Sequence, residues 1–182
     1  MSGKKAERER ALVLDTSAFI MGINPSVWDI PTYTTPLVYE ELRKEALATQ
    51  RVSASKEGGR LTILPPSRSS IQMVQEASQS LGEQATLSTT DQSILALALD
   101  LESASKEPLI ISDDFAIQNV AEYLHIKYAS LATRGIQRLL GWTFYCPACF
   151  RKYSIARPSV CRVCGTPLKR RSGRGSLVRF KE

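Results

Sequence analysis

Histidine occurs once in this chain of 182 residues, at His125, and cysteine does not occur before Cys146. The single histidine, near an expected strand start, reads as an ordinary structural or surface residue, and acid–base catalysis by paired histidines is disfavoured. The missing cysteines remove a thiol nucleophile from everything ahead of Cys146. Long apolar runs are absent too. The most apolar stretch, Ile94 to Leu101, is short and carries Asp100, well under the ~20 residues of a membrane-spanning helix. The opening residues, MSGKKAERER, are charged and no apolar segment of signal-peptide length follows. There are no internal repeats. The expectation is a soluble, cytoplasmic protein with no membrane partner, in a compartment where disulfides do not carry the fold.

What the chain does have is enough apolar material for a core, 43% of residues, and a net charge of +6 that is unevenly spread. Residues 1–140 hold 14 Lys/Arg against 17 Asp/Glu, whereas residues 141–182 hold ten against the single acid Glu182. A strongly basic end suggests a polyanionic partner, because each cation that meets a phosphate releases counterions. A merely solvated tail is the blander alternative.

The pattern of apolar runs and caps predicts alternation. Ala11–Leu14 reads as a buried strand ending at Asp15. Pro36 opens one helix, PLVYEELRKEALA, with proline in its first turn. Lys56–Gly59 reads as a loop and Leu61–Leu64 as a strand. Ser67 can cap a helix that stops at Gly82, and Ser88 or Thr89 can cap TDQSILALALDLESA. Pro108–Ile111 and Ile126–Tyr128 are two more strands, with a helix, FAIQNVAEYL, starting after Asp113-Asp114. This order favours a three-layer α/β domain with a mainly parallel sheet. It stops near Gly141, so the expected organisation is a domain over 1–140 and a smaller one over 141–182.

Carboxylates mark the ends of these elements. Ligands of open α/β sheets bind at the carboxyl ends of the strands. Asp15 sits at such an end, Asp113 and Asp114 just past another, and Asp91 in the first turn of its helix. At 100° per residue Glu41 falls between Leu37 and Val38 on the apolar stripe, whereas Glu40 falls outside it. Each acid alone has an ordinary reading: Asp91 beside a helix dipole, Asp113 or Asp114 as an N-cap, Glu41 in a salt bridge. Together, with no basic residues beside them, they need neutralising. Hard cations such as Mg²⁺ or Mn²⁺ take such ligands. Ser17 and Thr90 can orient ligands or water, or simply cap turns.

Cys146-Pro-Ala-Cys149 and Cys161-Arg-Val-Cys164 form two C-x₂-C pairs separated by eleven residues. Two such knuckles complete a closed tetrahedral Cys₄ site, which points to structural zinc, with iron or a redox dithiol as lesser alternatives. A segment this small needs the metal to fold. Arg151, Lys152, Arg157, Arg162, Lys169, Arg170, Arg171 and Arg174 surround the knuckles as candidates for RNA contact. Tyr145, Phe150 and Tyr153 lie among them; the favoured reading is that they build the ribbon's small core, the other that they stack on unpaired bases.

The blocks LVLDTSAFI, VYEEL, STTDQSILALAL and IISDDFAIQNVA resemble the four acidic motifs of PIN domains. The last two, together with the position of the ribbon, resemble the Nin-one-binding protein family of PIN endonucleases, and the likeness spans the whole chain. It implies a metal-dependent endoribonuclease that cuts precursor small-subunit rRNA at its 3′ end, bound in a pre-ribosomal small subunit with its assembly factors. Carried across, the catalytic metal ligands are Asp15, Glu41, Asp91 and Asp114. Asp113 is a neighbour of less defined role, since the final motif usually reads Thr-x-Asp and here reads Ser112-Asp113-Asp114. One or two Mg²⁺ or Mn²⁺ ions then serve hydrolysis to a 3′-hydroxyl and a 5′-phosphate, and one Zn²⁺ serves structure. Two alternatives remain: a toxin-like PIN ribonuclease, against which the ribbon argues, and a silent RNA-binding or assembly module, against which the intact acids argue.

Overall fold

A computed structural model of the chain describes residues 8–83, 85–131, 142–153 and 160–172, with the backbone alone for 142, 143 and 170–172. Strands β1 (Glu9–Leu14), β2 (Thr32–Thr34), β3 (Leu61–Ile63), β4 (Lys106–Ile111) and β5 (Lys127–Ala129) form one sheet in the order β3-β2-β1-β4-β5. Every pairing in it is parallel. Ala11, Leu12, Val13 and Leu14 are all buried. A strand buried on both faces reads as a continuous apolar run, and that is how β1 was legible.

Helices α1 (Thr16–Ile20), α2 (Pro36–Leu42), α3 (Ala46–Glu57), α4 (Arg68–Leu81), α5 (Thr89–Ser103) and α6 (Phe115–Tyr123) fall into two groups, α1–α3 and α4–α6, each packed among its own members. With a central strand covered on both sides, these are the outer layers of an α/β fold. Helix α5 is the most enclosed. Ile94 through Leu99 are buried without a break, each large side chain contributing roughly 1.5–3 kcal/mol of burial.

The caps stand where the sequence puts them. Ser67 and Ser88 accept from the amides of Ser70 and Asp91, and Gly82 ends α4 at φ 74°, the left-handed turn that glycine adopts without penalty. Asp100 adds a tie across the fold. Its carboxylate accepts from the Ser67 amide at 2.6 Å, the Ser67 hydroxyl at 2.7 Å and the Ser70 hydroxyl at 2.6 Å. Asp100→Ala leaves three donors at the start of α4 without that acceptor. The expected loss is about 1–3 kcal/mol, read as a lower denaturant midpoint with an unchanged slope; an unshifted midpoint would show that water replaces the carboxylate fully.

Three expectations fail. The single helix from Pro36 is two, because Glu45 is extended (φ −113°, ψ 95°) and α3 restarts at Ala46. Continuing the helix would carry Glu45 onto the face of Val38 and Leu42. The break instead turns Ala48, Val52 and Ser55 inward, and the Thr49 hydroxyl takes the Leu42 carbonyl at 2.5 Å. Lys56 and Glu57 are the last residues of α3 rather than loop, and the chain leaves the helix at Gly58. Strand β2 and helix α1, three and five residues long, were not foreseen.

Strand β6 (Trp142–Tyr145) pairs antiparallel with both β7 (Lys152–Tyr153) and β8 (Lys169–Ser172) in a second, three-stranded sheet. The expected boundary at 140/141 lies outside the described residues. Among the described residues no helix is long and apolar enough to cross a membrane.

Candidate active site and cysteine cluster

The strand order reverses between β1 and β4, whose connections leave in opposite directions. Neighbouring parallel strands with diverging exits create a crevice at their carboxyl ends. Asp15 follows β1 and Ser112 follows β4, and Leu14 is paired with Ile111. Residues 97 apart in sequence therefore meet: the Ser112 hydroxyl donates to Asp15 Oδ2 at 2.8 Å. Ser17 donates to the same oxygen at 3.0 Å, and the Thr16 amide to Oδ1 at 2.6 Å. Asp15 is 5% exposed. Burial pushes its carboxyl above the ordinary range, with the Ser112, Ser17 and Thr16 hydrogen bonds pulling the other way.

The other candidate acids surround this point. Asp91 forms a reciprocal cap with Ser88, accepting from its amide at 2.7 Å. Burial raises its carboxyl, the Ser88 hydrogen bonds lower it, and the negative charges of Asp15 and Asp114 push it up again. Asp114 caps α6 by accepting from the Ala116 amide at 2.6 Å, while its own amide donates to the Ser112 hydroxyl at 3.1 Å. Glu41 accepts from Thr16 Oγ1 at 2.7 Å and from Thr90 Oγ1 at 2.5 Å, the neighbours of Asp15 and Asp91. Asp113 turns elsewhere. Its Oδ1 accepts from the Leu131 amide at 2.9 Å and from the Ser130 hydroxyl, which ties it to the end of β5.

Glu41 reaches this place by a different route from the one expected. Leu37 is 40% exposed, and the buried face of α2 is Val38 and Leu42. Glu41 lies at the edge of that face and is itself exposed, so its carboxylate is held by two threonines rather than by an apolar stripe. Thr16 and Gln118 were not singled out from the sequence. Gln118 is fully buried and donates to the Ser112 carbonyl at 2.9 Å. The signal for it was two amides, Gln118-Asn119, inside an otherwise apolar stretch of α6.

Among the described residues the ion pairs are Arg43–Glu40, Arg60–Asp29, Lys106–Glu9 and Lys127–Glu107. None reaches Asp15, Glu41, Asp91 or Asp114. The set offers oxygen ligands and hydroxyl donors, burial raises two of its carboxyls, and among the described residues no cation is paired with it. That donor chemistry fits a hard divalent ion. The carboxylates stand wider apart than one ion's inner shell, since among the described residues only the cysteines bring three or more such ligand atoms within 4.8 Å of one another. Mg²⁺, which keeps several waters and takes one or two carboxylates directly, suits such spacing.

Outside the strands of the second sheet, Cys146 and Cys161 are buried, Cys149 and Cys164 exposed, and all four are free thiols. The Cys149 amide donates to Cys146 Sγ and the Val163 amide to Cys161 Sγ, both at 3.4 Å. Four converging sulfurs with amides turned toward them fit a closed tetrahedral zinc site. Tyr153 joins it, its hydroxyl 3.1 Å from Cys161 Sγ, and Phe144 and Tyr145 are half-buried beside it in the sheet. Phe150 departs from the favoured core assignment and is 75% exposed. Arg151, Lys152, Arg162 and Lys169 are exposed. Arg170 and Arg171 lie on β8, while Arg157 and Arg174 lie outside the described residues.

Residues 12–101 match the model of the PIN domain of ribonuclease. The chain is 35% identical over 161 residues to Endoribonuclease Nob1 of Pyrococcus abyssi, covering 87% of this chain and 91% of that one. A match of that length cannot be housed in residues 1–140, so it extends into the cysteine-bearing part. Ribonuclease VapC1 of Thermoplasma acidophilum is 31% identical over 120 residues, 65% of this chain and 59% of that one. The 20S-pre-rRNA D-site endonuclease NOB1 of Saccharomyces cerevisiae is 32% identical over 104 residues, 56% of this chain and 22% of that one.

Proposed function

The chain belongs to the Nob1 family of endoribonucleases, and from that premise we propose that it cuts precursor small-subunit rRNA at its 3′ end. The observation that carries the reading is the gathering of Asp15, Asp91 and Asp114, with Glu41 tied in through Thr16 and Thr90, around the switch point of the sheet, with no compensating ion pair among the described residues. These four acids would hold Mg²⁺ or Mn²⁺. When bound, one or two such ions supply Lewis acidity that activates water and neutralises charge on the scissile phosphate, giving a 3′-hydroxyl and a 5′-phosphate.

The chain's own part is to fix the acids and, through hydrogen bonds, to offset part of the burial that opposes their ionisation. Ser112 is the hinge pin: its hydroxyl donates to Asp15 and accepts from the Asp114 amide, and its carbonyl is held by Gln118. Thr16 and Thr90 fix both oxygens of Glu41. Residues 1–140 form the nuclease unit. Residues 141–182 form a ribbon in which Cys146, Cys149, Cys161 and Cys164 hold zinc and the basic residues hold RNA phosphates. The site of action is the cytoplasmic pre-ribosomal small subunit with its assembly factors.

The matches to VapC ribonucleases favour a second reading, a toxin-like enzyme acting on other RNA. Metal-dependent cleavage of an RNA spanning the 3′ end of small-subunit rRNA separates the two: cuts at that end support the proposal, and indifference to it supports the second reading. The same assay tests Glu41. Glu40 only pairs with exposed Arg43 at 3.1 Å. Glu41→Gln is expected to slow cleavage about 10- to 100-fold, as lost metal-site groups do, and to raise the Mn²⁺ requirement. Glu40→Gln should stay within about twofold, in line with the small worth of surface pairs. The reverse ranking would remove Glu41 from the site.

A further inference from the structure

The two knuckles of the ribbon share one backbone turn, and the residue that closes it differs between them. After the second cysteine of each pair the chain enters the left-handed region, at Phe150 (φ 56°) and at Gly165 (φ 69°). Both amides donate to the carbonyl of the first cysteine at 2.9 Å, Phe150 to Cys146 and Gly165 to Cys161. Glycine is at ease there, whereas a bulky side chain in this conformation is a genuine outlier. Space is not the reason for the difference, since a Cβ at Gly165 would meet nothing within 4 Å.

Beyond the hydrogen bond that closes the turn, packing of the ring does not offset the cost at Phe150. Its ring is 75% exposed, the highest value among the exposed large apolar side chains of the described residues. Phe144, Tyr145 and Tyr153 already stand half-buried in the small sheet, Phe144 paired with Tyr153 across β6 and β7. An observed backbone outlier of this kind, on an aromatic turned to solvent, points outward to a ligand. Arg151 and Lys152 follow it in sequence, both exposed, as is Arg162 on the other knuckle. No acid precedes Glu182 in the last 42 residues. A flat apolar ring flanked by cations, with no anion among them, is the chemistry that takes a base on its face and the adjoining phosphates on its rim.

We propose that Phe150 is a stacking platform for one unpaired RNA base, so that the ribbon selects single-stranded RNA over duplex. The inference rests on the reading of the chain as an RNA-processing enzyme and names a specificity-determining residue within it. Bases inside a duplex are stacked on both faces, so the ring adds little to duplex binding, where only the terminal pairs expose a face.

The test uses the full-length, zinc-loaded protein, with a single-stranded oligoribonucleotide and a blunt RNA duplex of equal length as probes. Phe150→Gly suits the left-handed backbone, so it is expected to keep its zinc and to fold at least as stably as the wild type. Its affinity for the single strand should fall about 5- to 100-fold, the worth of one stacked base. The salt slope should not change, because no charge is removed, and duplex affinity should hold. Phe150→Tyr should restore single-strand binding, and Phe150→Leu should not. Unchanged single-strand affinity in Phe150→Gly, an equal loss on duplex, or full rescue by leucine each overturns the stacking assignment. Cleavage of the rRNA 3′ end by the wild type is scored in parallel. Intact cleavage with an indifferent Phe150→Gly defeats the stacking role alone, whereas a wild type that neither binds nor cuts RNA defeats the proposed function and this inference with it.

Discussion

Asp15→Asn is expected to fold as the wild type does and to cut precursor rRNA about 1,000-fold more slowly or worse, the scale on which a main electrostatic group of an active site acts. Asparagine keeps the shape of the side chain. Its carbonyl oxygen can still accept from Ser17, Ser112 or the Thr16 amide, while the charge that would hold a metal is gone. The stability signature separates this from simple damage. Asp15 has its folded carboxyl raised by burial, so the stability it contributes is fully present below the unfolded carboxylate range and is lost as pH rises through the raised folded value. The metal-free wild type therefore loses stability as this buried carboxyl ionises, whereas asparagine carries no charge there, and Asp15→Asn should melt no lower than the wild type does. Mn²⁺ should raise the melting temperature of the wild type and leave that of the variant where it was, because only a state that binds is stabilised by ligand. Wild-type single-turnover cleavage by a well-folded Asp15→Asn would end the assignment of this acid, and an undiminished Mn²⁺ shift would place the metal elsewhere.

Replacing Cys161 and Cys164 together by serine should release the ribbon's zinc. Apparent zinc binding in small Cys-rich modules is roughly 10–16 kcal/mol, far more than a three-stranded sheet of this size supplies by packing. RNA affinity should then fall roughly 100-fold near physiological salt, with a flatter salt dependence, as a set of phosphate contacts is lost. Deleting residues 141–182 should have the same effect. Both variants should keep slow, metal-dependent cleavage at high protein concentration, because Asp15, Glu41, Asp91 and Asp114 all lie outside the deleted part. Charge reversal at Arg170 and Arg171 should weaken RNA binding with zinc still bound, which separates charge from fold. RNA affinity across a salt titration, with zinc content measured alongside, decides the matter. Equal affinity and equal slope for the full-length and truncated chains would assign the ribbon to docking on a protein.

Local chemistry made several features legible in advance. A strand buried on both faces is written as a plain apolar run, so β1 and its exit at Asp15 could be read directly. Serine caps and a terminal glycine act within one turn, so the ends of α4 and α5 could be read as well. Two C-x₂-C pairs need only a tight turn each to converge, and their sulfurs do. Short elements were hidden, since three residues of β2 or five of α1 give too few repeats for any period to register. The break between α2 and α3 was hidden for another reason. Small buried residues such as Ala48 and Ser55 leave no apolar stripe in the sequence, so nothing marked a change of face.

The sequence by itself determined which atoms are available: four thiols at knuckle spacing, acids at the ends of apolar runs, and a basic final segment with one carboxylate. Those follow from residue type and separations of a few positions, over which backbone geometry is nearly fixed. Only the tertiary structure decided which of these side chains meet. The reversal of strand order between β1 and β4 brings Ser112 against Asp15 across 97 residues, and Asp113 turns toward Ser130 and Leu131 while Asp114 caps α6 with its amide on the Ser112 hydroxyl. The same holds for Glu41, whose edge position depends on two threonines from α1 and α5 and not on its own helix. Pairing of parallel strands is set by which faces the whole core buries, and no local stretch of chain carries that information.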